Sequence, residues 1–177
     1  MSREYLINNA GWFDEGGYCQ FYPILGRRKI GFKEFLNKNR AKYALNVQKK
    51  LSKYDLAPKA YSGICRLKFA AEQDHWVPEV SEWGFVTELL KTTKNKKLMR
   101  MNKIQQLVDD IYAKTGLKFW DCHYDNIGLI KRGSSFKLVC IDTGRESFTG
   151  DSNYWGDVSP GPRCSYCCKY KCKCEGD

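Results

Sequence analysis

Between Phe119 and Gly144 the chain reads FWDCHYDNIGLIKRGSSFKLVCIDTG, which sets Asp121, Asn126 and Asp142 around the signal for a short β-hairpin. Together these side chains suit phosphoryl transfer. That reaction asks for one carboxylate to orient or deprotonate an acceptor hydroxyl, and for an Asn and a second carboxylate to hold Mg²⁺ on the nucleotide. Singly, each has a plainer use. Asp and Asn in loops commonly cap turns, and Asp142-Thr143-Gly144 alone is an ordinary turn sequence. What points to a site is the conjunction of a helix, Asp-x4-Asn, a hairpin and Asp-x-Gly in that order.

The elements that must position these groups show in the hydrophobic pattern. Residues 4 to 34 alternate apolar and polar positions with glycines at 11, 16, 17, 26 and 31, which predicts a meander of short strands. From residue 40 to about 54 the period changes, with Ala44, Val47, Leu51 and Tyr54 on one helical face and Pro58 marking the exit. Tyr61–Phe69 and Trp83–Leu90 read as two further strands. After a basic connector from Lys91 to Arg100, Ile104, Leu107, Val108 and Ile111 predict a second helix, with Gly116 suited to its C-terminal cap. The hairpin strands Ile127–Leu129 and Lys137–Ile141 turn through Arg132-Gly133-Ser134-Ser135. The expected class is α+β: residues 1–90 an antiparallel sheet with one helix, 91–150 a small helical lobe, and 151–177 a Cys-rich basic tail.

Composition narrows the class of protein. With 42% hydrophobic and 14% aromatic residues in 177, the chain can bury a core and is not globally disordered. No apolar run approaches membrane-spanning length, and MSREYLINNAGWFDEGG lacks the basic and apolar regions of a signal peptide, so a soluble cytoplasmic protein is expected. A formal charge of +10 favours polyanionic partners such as nucleotides, nucleic acids or an acidic protein. Cys19, Cys65, Cys122 and Cys140 sit among apolar residues and read as reduced, buried side chains. Five more cysteines crowd the last fourteen residues, where Cys164, Cys167, Cys172 and Cys174 have spacing that can surround one Zn²⁺, with Cys168 as an alternative ligand.

From residue 5 to about 148 the chain resembles the protein kinase-like superfamily. The resemblance implies a two-lobed fold that binds ATP and Mg²⁺. It makes Asp121 the catalytic carboxylate, Asn126 and Asp142 the metal-binding pair, and Asp142-Thr143-Gly144 the counterpart of Asp-Phe-Gly. The D-x-H-x-x-N form is closer to small-molecule and atypical kinases, with His123 standing where ordinary protein kinases carry a lysine that approaches the transferred phosphate. Ile30-Gly31-Phe32-Lys33 resembles the V-A-I-K strand, which implies that Lys33 contacts the α- and β-phosphates. Val86-Thr87-Glu88-Leu89-Leu90 resembles the adenine linker, implying base contacts from the Glu88 carbonyl and the Leu90 amide. Gly11–Gly17, GWFDEGG, stands at the place of the phosphate loop but does not fit G-x-G-x-x-G.

Two departures qualify the implied activity. Active protein kinases pair the strand lysine with a helix Glu, yet no Glu occurs between Glu34 and Glu72; the helix offers only Asn39, Asn46 and Gln48. Only about 33 residues follow Gly144, and nothing there resembles the A-P-E motif that closes the substrate platform. Three functions follow as expectations. The first is a minimal ATP- and Mg-dependent phosphotransferase acting on a hydroxyl of a protein or small molecule. The second is a catalytically weak or inactive pseudokinase serving as a protein-binding or inhibitory module. The third is a basic zinc-knuckle protein that binds nucleic acid.

Overall fold

The computed structural model describes residues 15–16, 19–24, 26–35, 37–66, 83–90, 101–122 and 124–149. Most of the Gly11–Gly17 segment, the 91–100 connector, His123 and all five tail cysteines lie outside the described residues.

The fold is α+β, built on antiparallel sheets with few helices. Short strands β1 (Glu15–Gly16) and β2 (Cys19–Pro23) lead into β3 (Ile30–Phe35), the strand that carries Lys33. Helix α1 (Lys38–Ser52) follows, then β4 (Cys65–Arg66) and β5 (Trp83–Glu88). All five strands form one sheet in the order β1-β2-β3-β5-β4, so β3 lies at its centre with α1 inserted between β3 and β4 in the chain. Helix α2 (Met101–Thr115) precedes the hairpin of β6 (Ile127–Arg132) and β7 (Ser135–Cys140), and a five-residue helix α3 (Arg145–Thr149) ends the described chain.

Local chemistry sets the limits of these elements. Asn37 caps α1 by accepting a hydrogen bond from the Arg40 amide at 2.9 Å, which satisfies one of the first-turn amides. At the other end Asp55 takes a left-handed conformation (φ 54°) and the Leu56 amide returns to the Leu51 carbonyl, so the helix stops before Pro58. Tyr54, assigned from periodicity to the buried face, therefore lies past the last turn and is 44% exposed. Gly116 ends α2 as its spacing suggested, with φ 70° and its amide bonded to the Tyr112 carbonyl. Gly84 is dictated by packing: a Cβ there would run into the Lys33 carbonyl oxygen on the neighbouring strand. The strand read at Tyr61–Phe69 is only two residues long within the described chain, preceded by a bridge between Ala60 and Thr87.

Two clusters of apolar side chains hold the layers together. Phe35, Ala41, Ala44, Leu45 and Phe85 seal α1 onto the sheet, with the two phenyl rings stacked 5.7 Å apart. Val47 and Leu51 of the same helix join Leu56, Ile104, Ile111 and Ile127 in the second cluster, so α1 touches both the sheet and the α2–hairpin layer. Leu51, Ile111 and Ile127 are fully buried, each contributing about 1.5–3 kcal/mol relative to exposure. Among the described residues no helix is long and apolar enough to cross a membrane.

Candidate phosphoryl-transfer site

The register of the hairpin assembles the first half of the site. Ile127 pairs with Cys140, which makes Asn126 and Ile141 the next residues outward, and the Ile141 amide bonds the Asn126 carbonyl at 2.9 Å. Asn126 and Asp142 are thus set side by side although sixteen positions separate them in the chain. A single 3-10 turn, Tyr124–Asn126, folds the preceding loop back. There the Asn126 Nδ2 donates to both the Asp121 carbonyl (2.9 Å) and Asp121 Oδ2 (2.8 Å). These two hydrogen bonds hold the Asp121 carboxylate and the Asn126 amide in a fixed relation to each other.

The second half comes from the sheet. Lys33 is buried on central strand β3, only 4% exposed. Its Nζ donates to the Ile141 carbonyl at 3.0 Å and lies 3.6 Å from Asp142 Oδ1. The ammonium also sits 5.4 Å from the centre of the Phe35 ring. Burial opposes its charge and by itself lowers the pKa, but the electrostatic influence of Cys19, Asp142 and Cys140 runs in the opposite sense and leaves it raised. Burial also pushes the Cys140 thiol well above its ordinary value, so near neutral pH a carboxylate rather than that thiol supplies the counter-charge. The helix amides weighed as partners for Lys33 lie elsewhere: Asn39 and Asn46 are exposed, and Gln48 is buried on hydrogen bonds to other groups.

Asp142 is cradled from three directions. Its Oδ1 accepts from the Gly144 amide at 3.0 Å, and its Oδ2 accepts from Ser147 Oγ at 2.7 Å, while Lys33 approaches from the sheet. Ser147 is fully buried on α3, and its own carbonyl accepts from the Trp120 amide at 2.9 Å. One serine therefore ties the carboxylate to the residue preceding Asp121. Sequence reading passed over Ser147, because a five-residue helix is too short to show periodicity and nothing nearby marks the contact with Trp120.

Hydrogen bonds to the neighbouring segments hold the end of β5 and the residues after it. The Glu88 amide bonds the Lys59 carbonyl at 2.8 Å, the Lys59 amide bonds Glu88 Oε2 at 3.2 Å, and the Leu89 amide bonds the Lys29 carbonyl at 2.8 Å. Leu90 then packs over the hairpin at Gly128, where an added Cβ would lie 3.5 Å from Leu90 Cβ and 2.6 Å from Ile141 Cγ2. The absence of a side chain at Gly128 lets linker and hairpin approach each other. No spacing rule points to that glycine in the sequence.

Lys33, Asp121, Asn126 and Asp142 are thus brought together, with Glu88 and Leu90 on the adjoining strand end. His123, Cys164, Cys167, Cys172 and Cys174 lie outside the described residues. Cys122 and Cys140 are buried as expected, whereas Cys19 and Cys65 are only partly so, and none of the four forms a disulfide. A separate cleft of about 760 Å³ opens between the start of α1 and α3, lined by Arg40, Tyr43, Arg145, Glu146 and Thr149 among others. It contains none of the four site residues, and on helical geometry it faces the side of α3 opposite Ser147.

Comparison with protein-family models, with curated proteins and with solved structures finds no match to the chain. A carboxylate and an amide oxygen at the foot of one hairpin are hard donors of the kind Mg²⁺ takes, and Mg²⁺ is commonly held by only one or two carboxylates plus substrate phosphates. The buried ammonium beside them is a compact positive charge suited to phosphate oxygens.

Proposed function

We propose that this chain is a minimal kinase-like phosphotransferase, a two-lobed domain that binds ATP with Mg²⁺ and transfers the γ-phosphate to a hydroxyl acceptor. One observation carries the reading: buried Lys33 reaches Asp142, 109 positions downstream, directly beside the Asn126–Asp121 pair. Turn-forming polar residues have no need of such a partner.

In this reading Lys33 holds the α- and β-phosphates, its ammonium already desolvated and oriented by Ile141 and Asp142. Asn126 and Asp142 hold Mg²⁺, which when bound neutralises phosphate charge. Asp121, its carboxylate steadied by Asn126, orients the acceptor hydroxyl and takes its proton. The Glu88 carbonyl and Leu90 amide receive the base where the chain leaves the end of β5. Catalysis by such a site is positioning and electrostatic stabilisation, with no covalent enzyme intermediate.

A second reading is favoured by α1, which presents no carboxylate to Lys33: the same fold acting as a pseudokinase that binds nucleotide or a protein partner without turnover. Thermal unfolding of the full chain with ATP, with and without Mg²⁺, tests the nucleotide site, with Asp142→Asn as control. A Mg-dependent rise in Tm that the variant loses supports the site. No rise in the native chain rejects it. A rise without measurable transfer to any hydroxyl moves the assignment to the pseudokinase.

A further inference from the structure

Gln48 is 1% exposed, and every part of its amide is engaged by a different element. Its Nε2 donates to the Pro58 carbonyl at 3.1 Å and to Thr87 Oγ1 at 2.5 Å, and its Oε1 accepts from Thr143 Oγ1 at 3.4 Å. Thr87 passes the chain on, donating to the Lys59 carbonyl at 3.1 Å. Both threonines are buried, at 2% and 0% exposure. Their places in the chain matter: Thr87 immediately precedes Glu88 at the linker, and Thr143 immediately follows Asp142. One side chain in the middle of α1 therefore touches the neighbours of the base-binding and metal-binding groups at once.

Packing alone does not call for such a residue. Leu45, Val47 and Leu51 already hold α1 in both apolar clusters, and a leucine at position 48 would fill similar space without polar atoms to satisfy. A primary amide is also one of the few groups able to donate twice and accept in one plane, which this junction of two carbonyl/hydroxyl acceptors and one hydroxyl donor requires. A glutamate could not donate to Pro58.

We infer that Gln48 is a positioning residue that couples the linker to the Asp142 loop, holding the two ends of the nucleotide site in one register in a chain whose helix lacks a glutamate. The inference rests on the proposed nucleotide site for its meaning, but the coupling itself is measurable without ligand. Its physical basis is that a buried network with all members satisfied is rigid, whereas removing one member strands the others.

The test is amide hydrogen exchange of the full chain in the absence of nucleotide, on native protein, Gln48→Leu and Thr143→Val. The second variant keeps shape and removes one hydroxyl, so it stays informative if the first fails to fold. Coupling predicts that in each variant protection falls about tenfold or more at both Glu88–Leu89 and Gly144, while the β2–β3 and β6–β7 amides keep theirs. A uniform fall over the whole chain, a fall at one of the two places only, or no change overturns the inference. Mg·ATP titration of the same proteins then gives the functional half. If the native chain binds, about tenfold weaker binding in Gln48→Leu at a temperature where it is fully folded supports positioning, and unchanged binding overturns it. If the native chain does not bind, the nucleotide site fails, and the exchange pattern still decides the coupling.

Discussion

Replacing Ser147 by alanine removes one hydroxyl from a fully buried position and leaves the backbone bond between the Ser147 carbonyl and the Trp120 amide in place. The volume change is small, so the cost comes from the 2.7 Å hydrogen bond to Asp142 Oδ2. Bonds to charged groups are worth about 1.5–3 kcal/mol. Asp142 keeps its Gly144 and Lys33 contacts and is partly open to water, which places the expected loss near the lower half, at about 2 kcal/mol. For a chain of this size that corresponds to a fall in Tm of about 4–8 °C. Urea unfolding followed by tryptophan fluorescence, with a thermal scan beside it, reads both quantities. The sharper measurement is a double-mutant cycle with Asp142→Asn. An amide oxygen accepts about half as strongly as a carboxylate, so the serine should be worth about 1 kcal/mol in the Asp142→Asn background, a coupling of about 1 kcal/mol. If Ser147→Ala costs less than about 0.5 kcal/mol, or the two substitutions are additive, then Ser147 does not hold the carboxylate and the account of its cradle is wrong.

Three further outcomes follow from the same geometry. Asp121→Asn should abolish measurable phosphate transfer, a fall of at least about a hundredfold, while leaving Mg·ATP affinity within about twofold; a rate equal to the native one removes Asp121 as the base. Gly84→Ala drives a methyl into the Lys33 carbonyl across the central strand pair, and the separation of β3 from β5 should cost about 3 kcal/mol or more, read as a Tm fall of about 6 °C or greater. Tyr22 has its pKa raised from the ordinary 10.0, first by burial and then by the Glu34 carboxylate beside it. The folded chain therefore holds the Tyr22 proton more tightly than the unfolded one, so this stability is present below pH 10 and drains as pH rises further. Tyr22→Phe should flatten the stability–pH curve between about pH 9.5 and 11, and an unchanged slope there would remove Tyr22 as its source.

What the chain makes legible by itself is whatever depends on local order. Ala44, Val47 and Leu51 recur at helical spacing and mark the buried face of α1; Ile104, Leu107 and Ile111 do the same for α2. Gly116 and the Arg132–Ser135 turn announce themselves because left-handed or tight backbone demands particular residues. Asp121, Asn126 and Asp142 could be grouped from sequence because a short hairpin is all that separates them, and antiparallel pairing must return Asp142 to the side of Asn126.

Contacts that cross between layers leave no such trace. That Lys33 reaches the Ile141 carbonyl, that Ser147 docks on Trp120 and Asp142, and that Gln48 turns to Thr87 and Thr143 instead of to the lysine were decided by how α1, the sheet and the hairpin pack. Tyr54 shows the same limit from the other side: its spacing continued the helical stripe, but the helix had already ended at Ser52, and the left-handed Asp55 then turns the chain away. Hydrophobic spacing reports which face of an element is buried. Which polar group ends within 3 Å of which is set only once those faces have closed on one another, because burial then makes every donor and acceptor at the junction find a partner.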